Sequence, residues 1–134
     1  MKRVPAIVAV VASALVFAGG AQGAKSVNTN VKLELFTEAT GNLYAIGLLT
    51  AGDDRCVPDR TVEIYIVAPN KAPVYIDTAR TANHGGWAGF RNANSLPNQQ
   101  YTEAKLVVPK TTVKVSKKKR ITCAGKTKVF PLAG

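Results

Sequence analysis

The chain has 134 residues, the span of one ordinary domain, which leaves no room for a second folding unit of normal size. Hydrophobic residues make up 46% of it, too much apolar surface for a chain disordered throughout. Lys and Arg number 18 against 8 Asp and Glu, and the formal charge of +10 bears on solubility and on anionic partners, not on fold.

Lys2 and Arg3 give a positive start, an uncharged apolar run interrupted by Pro5 and Ser13 fills Val4 to Ala18, and small residues follow from Gly19 to Ala24. This order predicts a secretory signal peptide over residues 1–23, cut before Ala24, with Ala21 and Gly23 as the small residues a signal peptidase requires and Ala21 or Ala24 as alternative last residues. About 15 apolar residues fall short of the roughly 20 that span a bilayer, which argues against a retained anchor. The mature domain is then residues 24–134, secreted or at the cell envelope, without a membrane span after cleavage.

Short β-rich runs then recur between clusters of Gly, Pro, Asn and Asp. In Val31 to Thr37, Val31, Leu33 and Leu35 alternate with Lys32 and Glu34, the period of a half-buried strand. Leu43 to Thr50 is more continuously apolar and predicts a central strand. Asp53 to Asp59 reads as a loop. Thr61 to Val67 puts Val62, Ile64 and Ile66 on one face, and Val74 to Thr81 puts Val74, Ile76 and Thr78 on one face. Asn83 to Gly86 is a turn, Trp87 to Arg91 a short strand, and Asn92 to Gln100 a loop. Tyr101 to Val108, Thr111 to Val115 and Ile121 to Phe130 close the series. The pattern predicts an all-β fold, a single antiparallel β-sandwich of about seven strands.

The two cysteines, Cys56 and Cys123, both fall in the exported part, where an even, minimal count most simply means one disulfide. Two distant cysteines and a single histidine do not supply a recognisable metal site. The bridge closes a long loop, valued at roughly 4 kcal/mol on the chain-entropy model.

Cys56 is followed by Arg60 to Tyr65, Thr81 leads into a glycine turn with Gly86 and Trp87, Tyr101 opens a late strand, and Cys123 precedes the last one. Over most of residues 43–130 this order resembles the immunoglobulin-like, prealbumin-like β-sandwich domains of secreted bacterial proteins. The sequence departs from their pattern at Ala82, where an acidic residue is usual. It departs again after Tyr101, where Glu103 and Lys105 share the tyrosine's side while Thr102, Ala104 and Leu106 make the better inward face. Either Tyr101 reaches a partner from the outer face or a bulge changes the frame. The resemblance implies an extracellular module with no chemistry of its own and names no ligand.

His84, Arg91 and Glu103 are the residues a secreted ribonuclease would need, but an exposed turn is the ordinary context for His84. Ser26, Ser95 and Ser116 lack a nucleophile-elbow setting, Gly85-Gly86 lacks the residues of a phosphate loop, and Asp53-Asp54 lacks further calcium ligands. No catalytic residue, metal or cofactor is therefore assigned. Trp87, Phe90 and Tyr65 or Tyr75 offer a sugar-stacking platform, against which stands ordinary aromatic packing. The strongest functional feature lies between Lys105 and Lys128, which holds Lys105, Lys110, Lys114, Lys117, Lys118, Lys119, Arg120, Lys126 and Lys128 and no acid. Lys114, Lys117, Lys118, Lys119, Arg120, Lys126 and Lys128 are the candidate surface for an anionic polymer of the cell envelope, an acidic glycan or nucleic acid. The alternative use of such lysines is edge protection and solubility.

Overall fold

A computed structural model describes residues 26–132. The predicted signal segment, residues 1–23, lies outside the described residues.

The described residues form ten strands in three sheets and no α-helix. β1 (Ser26–Val27), β2 (Thr29–Ala39) and β3 (Asn42–Ala51) are followed by β4 (Thr61–Val67), β5 (Val74–Arg80) and β6 (Gly86–Asn92). β7 (Glu103–Val108), β8 (Thr111–Ser116), β9 (Lys119–Cys123) and β10 (Lys126–Pro131) complete the chain. The sheets have the orders β2-β3-β6, β10-β7-β4-β5 and β1-β9-β8.

The first two sheets face each other across one core. Val31, Ala45, Leu49 and Trp87 enter it from the three-stranded side; Val62, Ile64, Ile66, Ile76, Leu106 and Val108 enter from the four-stranded side. β3 is the central strand of its sheet and β4 presents Val62, Ile64 and Ile66 inward, as their alternation predicts. Burying these β-branched and leucine side chains stabilises the fold by about 1.5 to 3 kcal/mol each before the loss of chain entropy is counted.

The third sheet corrects the count of about seven strands. Residues 121–130, read as one strand, form two in different sheets: β9 pairs with β8, and β10 crosses to pair with β7. Gly125 sits at the crossing, where a Cβ would come within 2.9 Å of the Val108 carbonyl oxygen and 3.0 Å of the Lys110 nitrogen. The sheets are also not wholly antiparallel, since β1 lies parallel to β9.

β5 brings a second correction, because Thr78 is exposed and Ala79 is buried. Ile64 pairs with Asp77 while Tyr65 pairs with Tyr75, so Ile76 is an extra residue and the alternation changes phase there. The bulge turns Asp77 inward at the sheet edge, where its Oδ2 accepts the Phe90 N–H at 3.0 Å. Arg91 Nη1 donates to the Tyr75 carbonyl at 2.6 Å, and together these bonds tie edge strand β5 to edge strand β6.

Tyr101 opens no strand. It precedes β7, packs its ring against the core and donates its hydroxyl to the Pro97 carbonyl at 2.7 Å. Ala104, Leu106 and Val108 form the inward face of β7, while Thr102 is exposed.

Candidate functional site

Cys56 and Cys123 are joined by a disulfide with alpha carbons 5.5 Å apart. Cys56 ends a single 3-10 turn, Asp54–Cys56, whose start is capped by the Asp53 side chain accepting the Arg55 N–H at 2.9 Å. Cys123 ends β9. The bridge and Ile121 form a small separate core, flanked by Val27, Ala51, Val113 and Val115. The β8–β9 hairpin is thereby fastened to the end of the sandwich where β3 gives way to β4.

Next to the bridge lies Arg60, 2% exposed. Its Nη1 donates to the Cys56 carbonyl at 2.7 Å and to Thr29 Oγ1 at 3.3 Å, and its Nη2 donates to the carbonyls of Ala124 at 3.0 Å and Pro109 at 3.3 Å. One guanidinium thus gathers the segment after β3, the start of β2, and the connections on either side of the hairpin. All these acceptors are neutral, so the charge is buried without a carboxylate. Burial pushes the Arg60 guanidinium below the ordinary arginine value, because desolvation penalises the charged form. Thr81, also buried, completes the knot: its Oγ1 accepts the Arg60 N–H at 2.7 Å and donates to the Val57 carbonyl at 2.6 Å.

The register places the predicted cations. Lys114 stands directly across from Arg120, Ser116 across from Lys119, and Lys117 and Lys118 form the turn between them. All five cationic side chains are exposed, and among the described residues none is in an ion pair. On this hairpin Val113 and Ile121 face the small core, while Lys114 and Arg120 share the other face with Thr112 and Thr122. Lys126 and Lys128 stand apart from this tip on β10, in another sheet. Lys128 Nζ lies 5.5 Å from the Phe130 ring centroid and 3.4 Å from Asn30 Oδ1. The seven candidate residues therefore form a tip of five and a separate pair.

A groove of about 470 Å³ runs beside the hairpin, between β8 and the adjoining ends of β4 and β5. Arg55, Arg60, Arg80 and Lys110 line it with one carboxylate, Asp59. Arg80 is held by Asp59 at 2.9 Å and by Thr61 Oγ1 at 2.9 Å. Arg55 is paired with Asp53 at 2.7 Å, and that hydrogen bond raises its pKa. Sequence reasoning missed this groove. Lys110 was visible as part of the basic run, but Arg60 and Arg80 look in sequence like ordinary charges at strand ends.

The residues of the nuclease reading are not brought together. His84 precedes β6 and its Nδ1 accepts the Gly86 N–H at 3.1 Å, whereas Arg91 lies near the far end of β6 and donates to Ser95 Oγ at 2.9 Å. Glu103 opens β7 in the opposite sheet. The sugar platform is likewise dispersed. Trp87 is buried, Phe90 stacks on Tyr44 with centroids 6.0 Å apart on one sheet, and Tyr65 meets Tyr75 edge-on at 5.9 Å on the other. Among the described residues no three His, Cys, Asp or Glu side chains converge as metal ligands. Comparison of the chain with protein-family models, with curated proteins and with solved structures finds no match.

Proposed function

We propose that this protein is an exported, non-catalytic immunoglobulin-like module that binds linear polyanions through the β8–β9 hairpin. The observation that carries the reading is the charge arrangement at the hairpin tip. Like charges directly opposite on a hairpin are destabilising, and Lys114 facing Arg120 beside three further lysines accumulates that cost without a compensating acid. Edge protection needs only a scattered lysine on a free edge and gives no reason to set cations against each other. An anionic polymer laid over the tip turns the repulsion into attraction.

Export is supported by the charged, apolar, small-residue order of residues 1–23 and by the disulfide, which persists in oxidising compartments. Three features support the immunoglobulin-like reading. The orders β2-β3-β6 and β10-β7-β4-β5 correspond to an A-B-E sheet facing a G-F-C-C′ sheet. Tyr101, just before the strand in the F position, bonds back to the Pro97 carbonyl as a tyrosine corner does. The β8–β9 hairpin then lies between F and G, in the connection that, with the one between B and C, forms the binding end of many such sandwiches. The disulfide departs from the usual pattern, since it joins those two connections instead of crossing the core.

Binding of a single-stranded oligodeoxynucleotide, a generic linear polyanion, measured as a function of salt tests the reading. Log affinity falls linearly with log salt by about 0.7 per contacted phosphate. Replacing Lys117, Lys118, Lys119 and Arg120 together by alanine is expected to reduce the slope by about 3. Parental affinity and slope in the quadruple variant would reduce the tip to a solvated turn.

A further inference from the structure

Resting on the polyanion reading, we infer that the groove beside β8 is the anchoring subsite of that surface and takes a phosphate group of a single-chain phosphate polymer, whose continuation runs along β8 onto the tip.

The cations of the groove are not equivalent. Arg55 and Arg80 are each held by a carboxylate, but Arg60 and Lys110 have none among the described residues. The uncompensated charge in the groove wall is therefore that of one buried guanidinium and one exposed ammonium. A charge buried in low dielectric is poorly screened, so its field reaches a ligand at the adjacent surface more strongly than that of a solvated lysine. Arg60 has its Nη1 and Nη2 donors committed to Cys56, Thr29, Ala124 and Pro109, and so acts as a fixed positive floor. Direct contact falls to Lys110 and to Thr112 on the outer face of β8, with Thr111 also in the lining and Arg80 across from them at the end of β5. Ammonium, hydroxyl and guanidinium groups lining one groove suit the several acceptor oxygens of a phosphate.

Asp59 is the one carboxylate in the wall, and its engagement by Arg80 lowers its repulsion toward an anion. β8 is an edge strand, so its outer edge is open to the groove. Thr112 and Lys114 lie on the same face of β8, two residues or about 6.7 Å apart. The wall of the groove thus passes directly into the cationic face that continues through Arg120 and the turn. A flexible single chain can place one phosphate in a groove of about 470 Å³ and continue along β8, whereas a rigid duplex presents its charge on a broad cylinder.

The test is a titration of the oxidised full chain, at low salt, with inorganic tripolyphosphate and with long-chain polyphosphate, followed through assigned backbone amides. Tripolyphosphate is expected to shift Lys110, Thr111 and Thr112 saturably. Lys110→Ala should weaken it about tenfold and Lys110→Arg should restore it. The quadruple tip variant should retain the tripolyphosphate site and lose affinity for the long polymer. Shifts confined to residues 117–120 would overturn the groove while leaving tip binding intact. Binding of neither phosphate probe, with the oligonucleotide also failing, would remove both. A sulfated glycan or duplex DNA that binds as tightly and shifts the same three residues would overturn the restriction to single-chain phosphate.

Discussion

The sandwich and its hairpin annex are held together by different physics. The sandwich has one continuous core drawn from six strands, with Ile64, Ile66, Leu49 and Leu106 buried completely or nearly so. The annex packs on a core of three buried residues, Ile121 and Cys123 of β9 and Cys56 from the connection after β3. Its outer face is cationic and contributes repulsion. That charged face buries no apolar core, so attachment rests on the covalent bridge, on the pairing of β9 with β1 and on the four acceptors gathered by Arg60. A strongly cored scaffold thereby carries a weakly cored element with an exposed cationic face.

The sharpest way to break that comparison is to damage each region alone. Leu106→Ala removes a fully buried side chain between the two large sheets and is expected to cost about 4 kcal/mol. The loss should be global: the denaturant midpoint falls, and all strand amides lose hydrogen-exchange protection together. Hairpin amides exchanging unchanged while the sandwich opens would show that the annex is independent of the scaffold.

Replacing Cys56 and Cys123 together by alanine should cost about 2 to 5 kcal/mol, a range around the roughly 4 kcal/mol that the chain-entropy model gives for a sequence separation of 67. The distribution of the effect matters more than its size. Amides of β8 and β9 are expected to lose protection well before those of β4 and β7, because β8 and β9 hold little apolar core beyond the bridge. Uniform loss across both regions would mean that the bridge supports the sandwich as a whole.

The contrast also explains what was legible in the sequence. The alternation of Val62, Ile64 and Ile66 reports directly which face is buried, so the sandwich strands could be read. The phase change in β5 could not, since a bulge depends on which residue lies opposite. The break at Gly125 was hidden because both strands around it are polar and short. The basic residues announced themselves by composition, yet their division between tip and β10 depends on which sheet each strand joins. Arg60 gave no signal, because nothing in its neighbours marks a guanidinium that will be surrounded by carbonyls from distant segments.

The smallest effect concerns the outer face of the four-stranded sheet, where the scaffold is solvated and one hydrogen bond can be isolated. Tyr65 donates its hydroxyl to Glu63 Oε1 at 3.0 Å, and that bond, followed by partial burial, raises the phenol above its ordinary value near 10. The neutral phenol is thus favoured in the folded chain. Its contribution to stability is complete below the unfolded value near 10 and disappears as pH rises through the higher folded value, because the unfolded chain gives up this proton first. In an NMR titration the Tyr65 ring, assigned by comparison with Tyr65→Phe, should ionise at higher pH than an unperturbed tyrosine, and Glu63→Gln should return it toward the ordinary value. That variant should leave hairpin amide protection and polyphosphate binding unchanged, since Glu63 lies on β4 away from both the groove lining and the tip. Coupled loss of hairpin protection would show that the two regions share more of their stability than their separate cores suggest.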